Sequence, residues 1–207
     1  MARWLDRRRN CANLIIMTHV FSRRAVLGAF VAAPFVTPAW AAPRTFVLDR
    51  ARTEVRFSYY IDGDPGHCSI GVSDADFQVD LADLARSRVS VSLDPRSIRA
   101  GFLPATEALK SAQLLDAARH PVIRFASTGI QASGAGGQIA GDLTIKGVRR
   151  VERFTAQFIN TIPDANATSF GIQLSGQVDR NAYGVSGYSS FVGPRVDLRI
   201  RAYLNAA

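Results

Sequence analysis

The sequence predicts an all-β domain, a closed barrel or a sandwich, with one short helix packed near an end. Three observations predict it. Short segments alternate apolar and polar residues, clusters of turn-forming residues separate them, and a single stretch carries helical spacing. In EVRFSYYI, Val55, Phe57, Tyr59 and Ile61 share one face while Glu54, Arg56 and Ser58 share the other. RVSVSLD repeats the pattern through Val89, Val91 and Leu93, and QIAGDLTIKG through Ile139, Leu143 and Ile145 with Gly141 in phase. RVDLRIRAYL sets Val196, Leu198 and Ile200 against Arg195, Asp197, Arg199 and Arg201. A period of two with one polar face marks antiparallel strands that have a wet side.

Taken in order, strands are predicted near 46–48, 54–61, 77–81, 88–93, 122–127, 138–145, 151–160 and 169–178, with a further one at 195–204. Turn signals lie between them: IDGDPGH, LDP, SGAGG, IKG, IPDANAT and FVGP. The helix is predicted over 104–118, PATEALKSAQLLDAA. Pro104 suits its first turn, where a missing N–H costs nothing, and Glu107 places negative charge near the positive end of the dipole. Ala105, Leu109, Ala112 and Leu115 form its apolar stripe, which must pack on a sheet or close a barrel end. His120-Pro121 then returns the chain to extended geometry toward Phe125.

Residues 1–41 are read as an export signal that is cleaved. Ser22-Arg23-Arg24 precedes the apolar run AVLGAFVAAPFV, and Ala39-Trp40-Ala41 has the small residues a signal peptidase needs. The paired arginines, with Val26 two positions beyond, resemble a twin-arginine signal. The apolar run contains Gly28 and Pro34 and falls short of the roughly 20 residues that cross a bilayer. The expectation is therefore a single domain over 42–207 in the periplasm, free of the membrane after signal removal.

Charge and cysteine content narrow the function classes. The chain carries a net charge of +8, but six basic residues and one acidic residue precede Ala42, leaving 19 basic against 16 acidic residues, or +3. No block of Lys and Arg interleaved with aromatics appears, so nucleic acid is not expected as a partner. Arg149-Arg150 reads as a turn or a solvated face. With Cys11 in the leader, Cys68 is the one cysteine of the domain and has no internal disulfide partner.

Catalytic signatures are weak. His67 and Cys68 are adjacent, and neighbours on a strand point to opposite faces, so a Cys-His pair is not expected. His120 reads as a boundary residue, with a contact to a ligand headgroup at a barrel mouth as its functional alternative. Neither histidine belongs to a metal-binding pattern, Ser133 to Gly137 lacks the ending of a phosphate loop, and the carboxylates are scattered. We therefore expect no catalytic residues, no metal and no cofactor.

What remains is an excess of aromatic residues in or beside the strands. They either fill a core or line the apolar cavity that an eight-stranded barrel can hold. Phe57, Tyr59, Phe125, Phe170 and Tyr188 are the candidate ligand-binding wall residues, chosen by strand parity.

Several stretches resemble the YceI-like family. In LKSAQLLDAARHPVIRF the matching residues are Leu109, Ser111, Leu114, Leu115, Asp116, Pro121 and Phe125. GDLTIKGVRR resembles the family's Gly-x-Leu-Thr-Ile-x-Gly signature, and GQVDRNAYGV its Asp-Arg-x-x-Phe-Gly segment through Asp179, Arg180, Tyr183 and Gly184. VGPRVDLRIRA resembles its final strand. The matches run in order over roughly residues 46–204. Tyr60 and Ala108 depart from the pattern, standing near positions where the family commonly has histidine. The resemblance implies an antiparallel, eight-stranded, lipocalin-like barrel in the periplasm that binds, sequesters or carries a polyisoprenoid or similar long-chain lipid. Transient contact with a membrane surface follows from such a cargo, and no protein partner is indicated. A non-enzymatic role in envelope stress or protein interaction, with a largely filled barrel, is the competing expectation.

Overall fold

The structure, a computed structural model, describes residues 42–207; the predicted export segment lies outside the described residues. Antiparallel strands β1 (Arg44–Leu48), β2 (Glu54–Ile61), β3 (Asp64–Val79), β4 (Arg88–Ala100) and β5 (Ile123–Ser133) are followed by β6 (Gly136–Ile145), β7 (Val148–Phe158), β8 (Ser169–Asp179) and β9 (Arg195–Ala206). One helix, α1 (Leu103–Lys110), lies between β4 and β5.

The strands form one sheet in the order β1-β3-β2-β9-β8-β7-β6-β5-β4, and pairing of β3 with β4 closes it. β1 and β2 occupy the same slot between β3 and β9. Phe46 pairs with Phe77 and Ala206, and further along Val55 pairs with Ile70 and Ile200. The barrel is thus eight-stranded around its circumference, with one position shared by two short strands. Asp49 makes the break between them, its carboxylate accepting from the N–H groups of Ala51 and Arg52.

The alternation seen in the sequence becomes an inside and an outside. Val55, Phe57, Val91, Leu143, Leu198 and Ile200 point inward, while Arg56 and Arg199 pair across the outer face. At the end formed by β1, Phe46, Leu48, Phe77, Val79, Ala202 and Leu204 pack into a closed core. Further along the interior, Phe125 and Phe154 meet edge to face at 5.4 Å between ring centroids. Each ring needs a glycine beneath it. A Cβ on Gly141 would lie 2.5 Å from the Phe125 ring, and one on Gly176 would lie 2.4 Å from Phe154.

Four elements differ from the sequence reading, and the simplest case is β5, which runs on to Ser133 beyond the predicted 122–127. β3 begins at Asp64, well before the predicted 77–81, because Asp62 and Gly63 both adopt positive φ and fold a tight hairpin. Pro65 is accommodated there because pairing of β3 with β4 starts only at Cys68, which leaves the flank of β3 unpaired. β4 likewise runs on through Asp94-Pro95 to Ala100, with register shifts against β3 where the turn was expected. The helix is shorter than the predicted 104–118 and ends at Lys110.

Candidate functional site: an apolar cavity beneath the barrel mouth

The mouth lies at the end opposite β1 and is built from α1, the turns at 111–119 and the loop at 184–194. Thr106 ties α1 to the end of β4, its hydroxyl accepting from Ala100 N–H at 2.9 Å and donating to Phe102 C=O. Ser111 leaves the helical conformation, and its hydroxyl donates back to Ala108 C=O at 2.7 Å. The chain then tightens, with Asp116 N–H donating to Ser111 C=O and Ala117 N–H to Lys110 C=O. This arrangement buries Leu114 and Ala117, which a continued helix would have rotated away. Ala105, Ala108 and Leu109 face into the barrel, and the two alanines leave space beneath the helix.

The loop at 184–194 is held by Arg180, whose side chain is 6% exposed. Its Nε donates to Gly193 C=O, Nη1 to Val185 and Gly187, and Nη2 to Val192, all at 2.7–2.9 Å. Burial draws the guanidinium below the ordinary arginine pKa, opposed by the charge of neighbouring Asp179. Gly193 N–H in turn donates to Tyr60 C=O, and Val192 bridges to Ile61, so the loop is stitched to β2.

Beneath these elements lies a cavity of about 410 Å³. Its wall is almost wholly aliphatic and aromatic, with Arg180 its one charged residue among those described. Two smaller voids, of about 100 and 60 Å³, continue down the barrel. Leu93, Ile123, Leu143 and Leu198 border both the first void and the second. Phe77, Val89, Ile139 and Ile172 border both the second and the third. At the upper rim Phe102 is 59% exposed and Tyr188 40%, and Phe191 stacks beside Tyr188 at 5.6 Å, so the wall continues outward to solvent.

The residues singled out by parity are distributed along this series. Phe57, Tyr59 and Tyr188 line the large cavity, Phe125 the middle void and Phe170 the lower one. Arg180, Phe102 and Val192 were not among the sequence candidates but also line the large cavity. Arg180 lies in the Asp-Arg segment already quoted, yet a surface and a buried arginine look alike in sequence. Phe102 and Val192 belong to turns, where period-two parity says nothing.

The groups weighed for chemistry are kept apart. His67 lies on the outer face and hydrogen-bonds Ser58 Oγ at 2.8 Å, while Cys68 points inward and is 3% exposed. His120 lies beside Gly147 and is not among the residues lining the cavity. Asp142 pairs with Arg149, Glu107 pairs with Lys110, and Asp179 accepts from Asn181 N–H, so each of these carboxylates is engaged by a partner of its own. Tyr60, where a family histidine is common, lies outside the cavity and donates to Asp197. Among the described residues no group of three or more His, Cys, Asp or Glu could hold a metal, and no helix is long and apolar enough to cross a membrane.

Burial pushes the Cys68 thiol up to about 12. A disulfide reagent at mildly alkaline pH is therefore expected to label the native protein on the order of a thousandfold more slowly than the unfolded chain, since only the thiolate reacts. The raised pKa also implies stability that is full below the unfolded thiol's pKa and is lost as pH rises toward 12. Equal labelling rates in native and denaturing buffer would place the thiol in contact with solvent.

An eight-stranded antiparallel barrel with an apolar interior void and a helix across its mouth defines a lipocalin-like class of protein. The chain belongs to the YceI-like family, whose domain model matches residues 46–204. It is 33% identical over 87 residues to a UPF0312 protein of Ectopseudomonas mendocina; the match covers 42% of this chain and 46% of that relative, so the chain spans about half the length of the curated relative. Among solved structures it is similar to Burkholderia cenocepacia BcnA, with a TM-score of 0.67 at 19% identity, covering 76% of this chain and 99% of that one. It is also similar to a polyisoprenoid binding domain from Saccharophagus degradans, with a TM-score of 0.56 at 12% identity, covering 78% of this chain and 98% of that one. At these identities the structural likeness establishes the fold.

Proposed function

We propose that the protein binds, sequesters or carries an isoprenoid or another long-chain apolar molecule in the periplasm, with the chain held in the cavity beneath the mouth. The observation that carries this reading is the apolar void of about 410 Å³ with its wall continuing to an exposed rim. Burial of each CH2 contributes about 0.8 kcal/mol before ordering costs, so several isoprene units bind usefully without a strong polar contact. The polyisoprenoid binding of the Saccharophagus degradans domain supports the ligand class. A non-enzymatic role agrees with the separation of His67, Cys68 and His120 and with the thiol's raised pKa. The competing envelope-stress or protein-interaction role rests on a largely filled barrel, and the cavity weighs against that premise.

The test is mass spectrometry of extracts from protein purified without detergent, together with uptake of a long isoprenoid and of the apolar dye N-phenyl-naphthylamine. A co-purifying chain-like lipid, or saturable uptake, supports the reading; the absence of both overturns it. Ala108→Trp places an indole in the cavity from α1 and is expected to weaken dye binding about tenfold or more. Dye titration with circular dichroism checks this outcome, and unaltered affinity in a folded variant would place the dye elsewhere.

A further inference from the structure

Large apolar side chains gather at solvent around the mouth. Phe102 and Leu103, at the start of α1, are 59% and 71% exposed, and Tyr188 and Phe191, on the loop at 184–194, are 40% and 43% exposed. That loop crosses the mouth. Gly187 packs so closely on Gln113, beyond α1, that a Cβ would lie 2.5 Å from the Gln113 carbonyl oxygen, and Phe191 C=O accepts from Asp62 N–H in the turn between β2 and β3. Phe102, Tyr188 and Phe191 border the cavity as well as solvent, so the apolar wall meets no polar boundary at these positions.

The fold gains little from this rim. Phe102 is the N-cap of α1 and makes no side-chain hydrogen bond, where Ser, Thr, Asp or Asn would satisfy a free N–H. Leu103 packs against none of the buried clusters. Tyr188 adopts a φ of 60°, a conformation that a bulky side chain rarely takes. Apolar residues kept at solvent against local preference mark an interaction surface. The chemistry of the ligand selects what covers it. A long apolar chain is disfavoured in water by about fourfold for every CH2, so the mouth must meet the surface that stores the chain. Exposed charges at this end are of both signs, Arg99, Arg119 and Arg150 against Asp62, Asp64 and Asp179, so apolar contact carries the docking.

We propose that the rim of Phe102, Leu103, Tyr188 and Phe191 docks on a phospholipid bilayer and seats the mouth against its acyl chains, so that a long apolar ligand passes between bilayer and cavity without crossing water. The inference rests on the reading that the cavity holds such a chain, and adds to it the surface with which the chain is exchanged.

The test is the fluorescence of Leu103→Trp with vesicles of phosphatidylcholine and phosphatidylglycerol in equal parts, with and without bromine on the acyl chains. Leu103 does not line the cavity, so quenching there reports the bilayer and not a chain drawn into the barrel. Val47→Trp is the matched probe, exposed on β1 at the far end. Trp4 and Trp40 are common to every variant, and the wild-type signal subtracts them. The added indole of Leu103→Trp is expected to shift to the blue and to be quenched by bromine, and that of Val47→Trp to do neither. Tyr188→Gly suits the positive φ and is expected to keep the melting temperature while weakening vesicle binding about threefold; adding Phe191→Ser brings the loss to about tenfold. No quenching of Leu103→Trp, equal quenching of both probes, or unaltered vesicle affinity in the folded double variant overturns the docking. N-phenyl-naphthylamine binding without vesicles tests the cavity separately. If the dye binds and the docking fails, the cavity reading stands; if Leu103→Trp alone is quenched and no dye binds, the docking stands and the cavity reading falls.

Discussion

Arg180→Met is expected to lower the free energy of unfolding by about 3 kcal/mol, and to loosen the mouth before the barrel wall. Methionine keeps an unbranched apolar stem against the cavity but removes every donor that holds the carbonyls of Val185, Gly187, Val192 and Gly193. A buried acceptor left without a donor costs about 1–3 kcal/mol, and water reaching the loop from the mouth recovers part of that sum. Urea denaturation measures the total, and amide exchange locates it. Faster exchange confined to residues 185–193 is expected, because the strands keep their own ladders. An unchanged midpoint and exchange pattern would mean that the loop is held by its contacts with β2 and does not need the guanidinium.

Phe46→Ala is expected to cost about 3–5 kcal/mol, the range for removing a buried aromatic ring. Phe46 is 2% exposed, packs among Leu48, Phe77, Val79 and Leu204, and meets the edge of Phe170 at 5.0 Å. It lies where β1 pairs with both β3 and β9, so the cavity left behind falls at the closure of the barrel's filled end. Phe46 lines none of the three voids, and dye affinity measured well below the unfolding midpoint should therefore follow the wild type. A loss of less than about 1 kcal/mol would show that the end repacks, the outcome expected of a site free to collapse. The paired variants thus separate the two ends of the barrel, one filled and stabilising, the other open and held by polar contacts.

The sequence was most legible where a single sheet has water on one side and an apolar interior on the other. β2, β6 and β9 fall in that class, and their parity correctly assigned Phe57, Leu143 and Leu198 to the inside. Asp62-Gly63 was recognised as a turn, but the strand leaving it was missed because Pro65 argues against a strand wherever both flanks are paired, and here one is free. The helix was overextended because Ala112 and Leu115 keep helical spacing with Ala105 and Leu109; Ser111 and the positive φ of Asp116 redirect the chain instead. Tyr59 was legible by its parity, whereas Arg180 was not. An arginine becomes a wall residue only when a distant loop supplies carbonyls to surround it, and no local pattern announces that loop's path.

The subdivision of the interior has a further consequence. In a smooth tube each added carbon would contribute equally, and the protein would grade chains by length without preference for any one. Here Leu93, Ile123, Leu143 and Leu198 form a floor between the large void and the next, and Phe77, Val89, Ile139 and Ile172 form another below it. On the proposed reading, a tail that stops above a floor would leave the side chains in place, and one that crosses it would have to turn them to other rotamers before gaining further contact. For a chain bound as proposed, the barrel would act as a stepped gauge, whose graduations are set by a few aliphatic and aromatic side chains, and exchanging those for smaller or larger ones would recalibrate it without altering a strand.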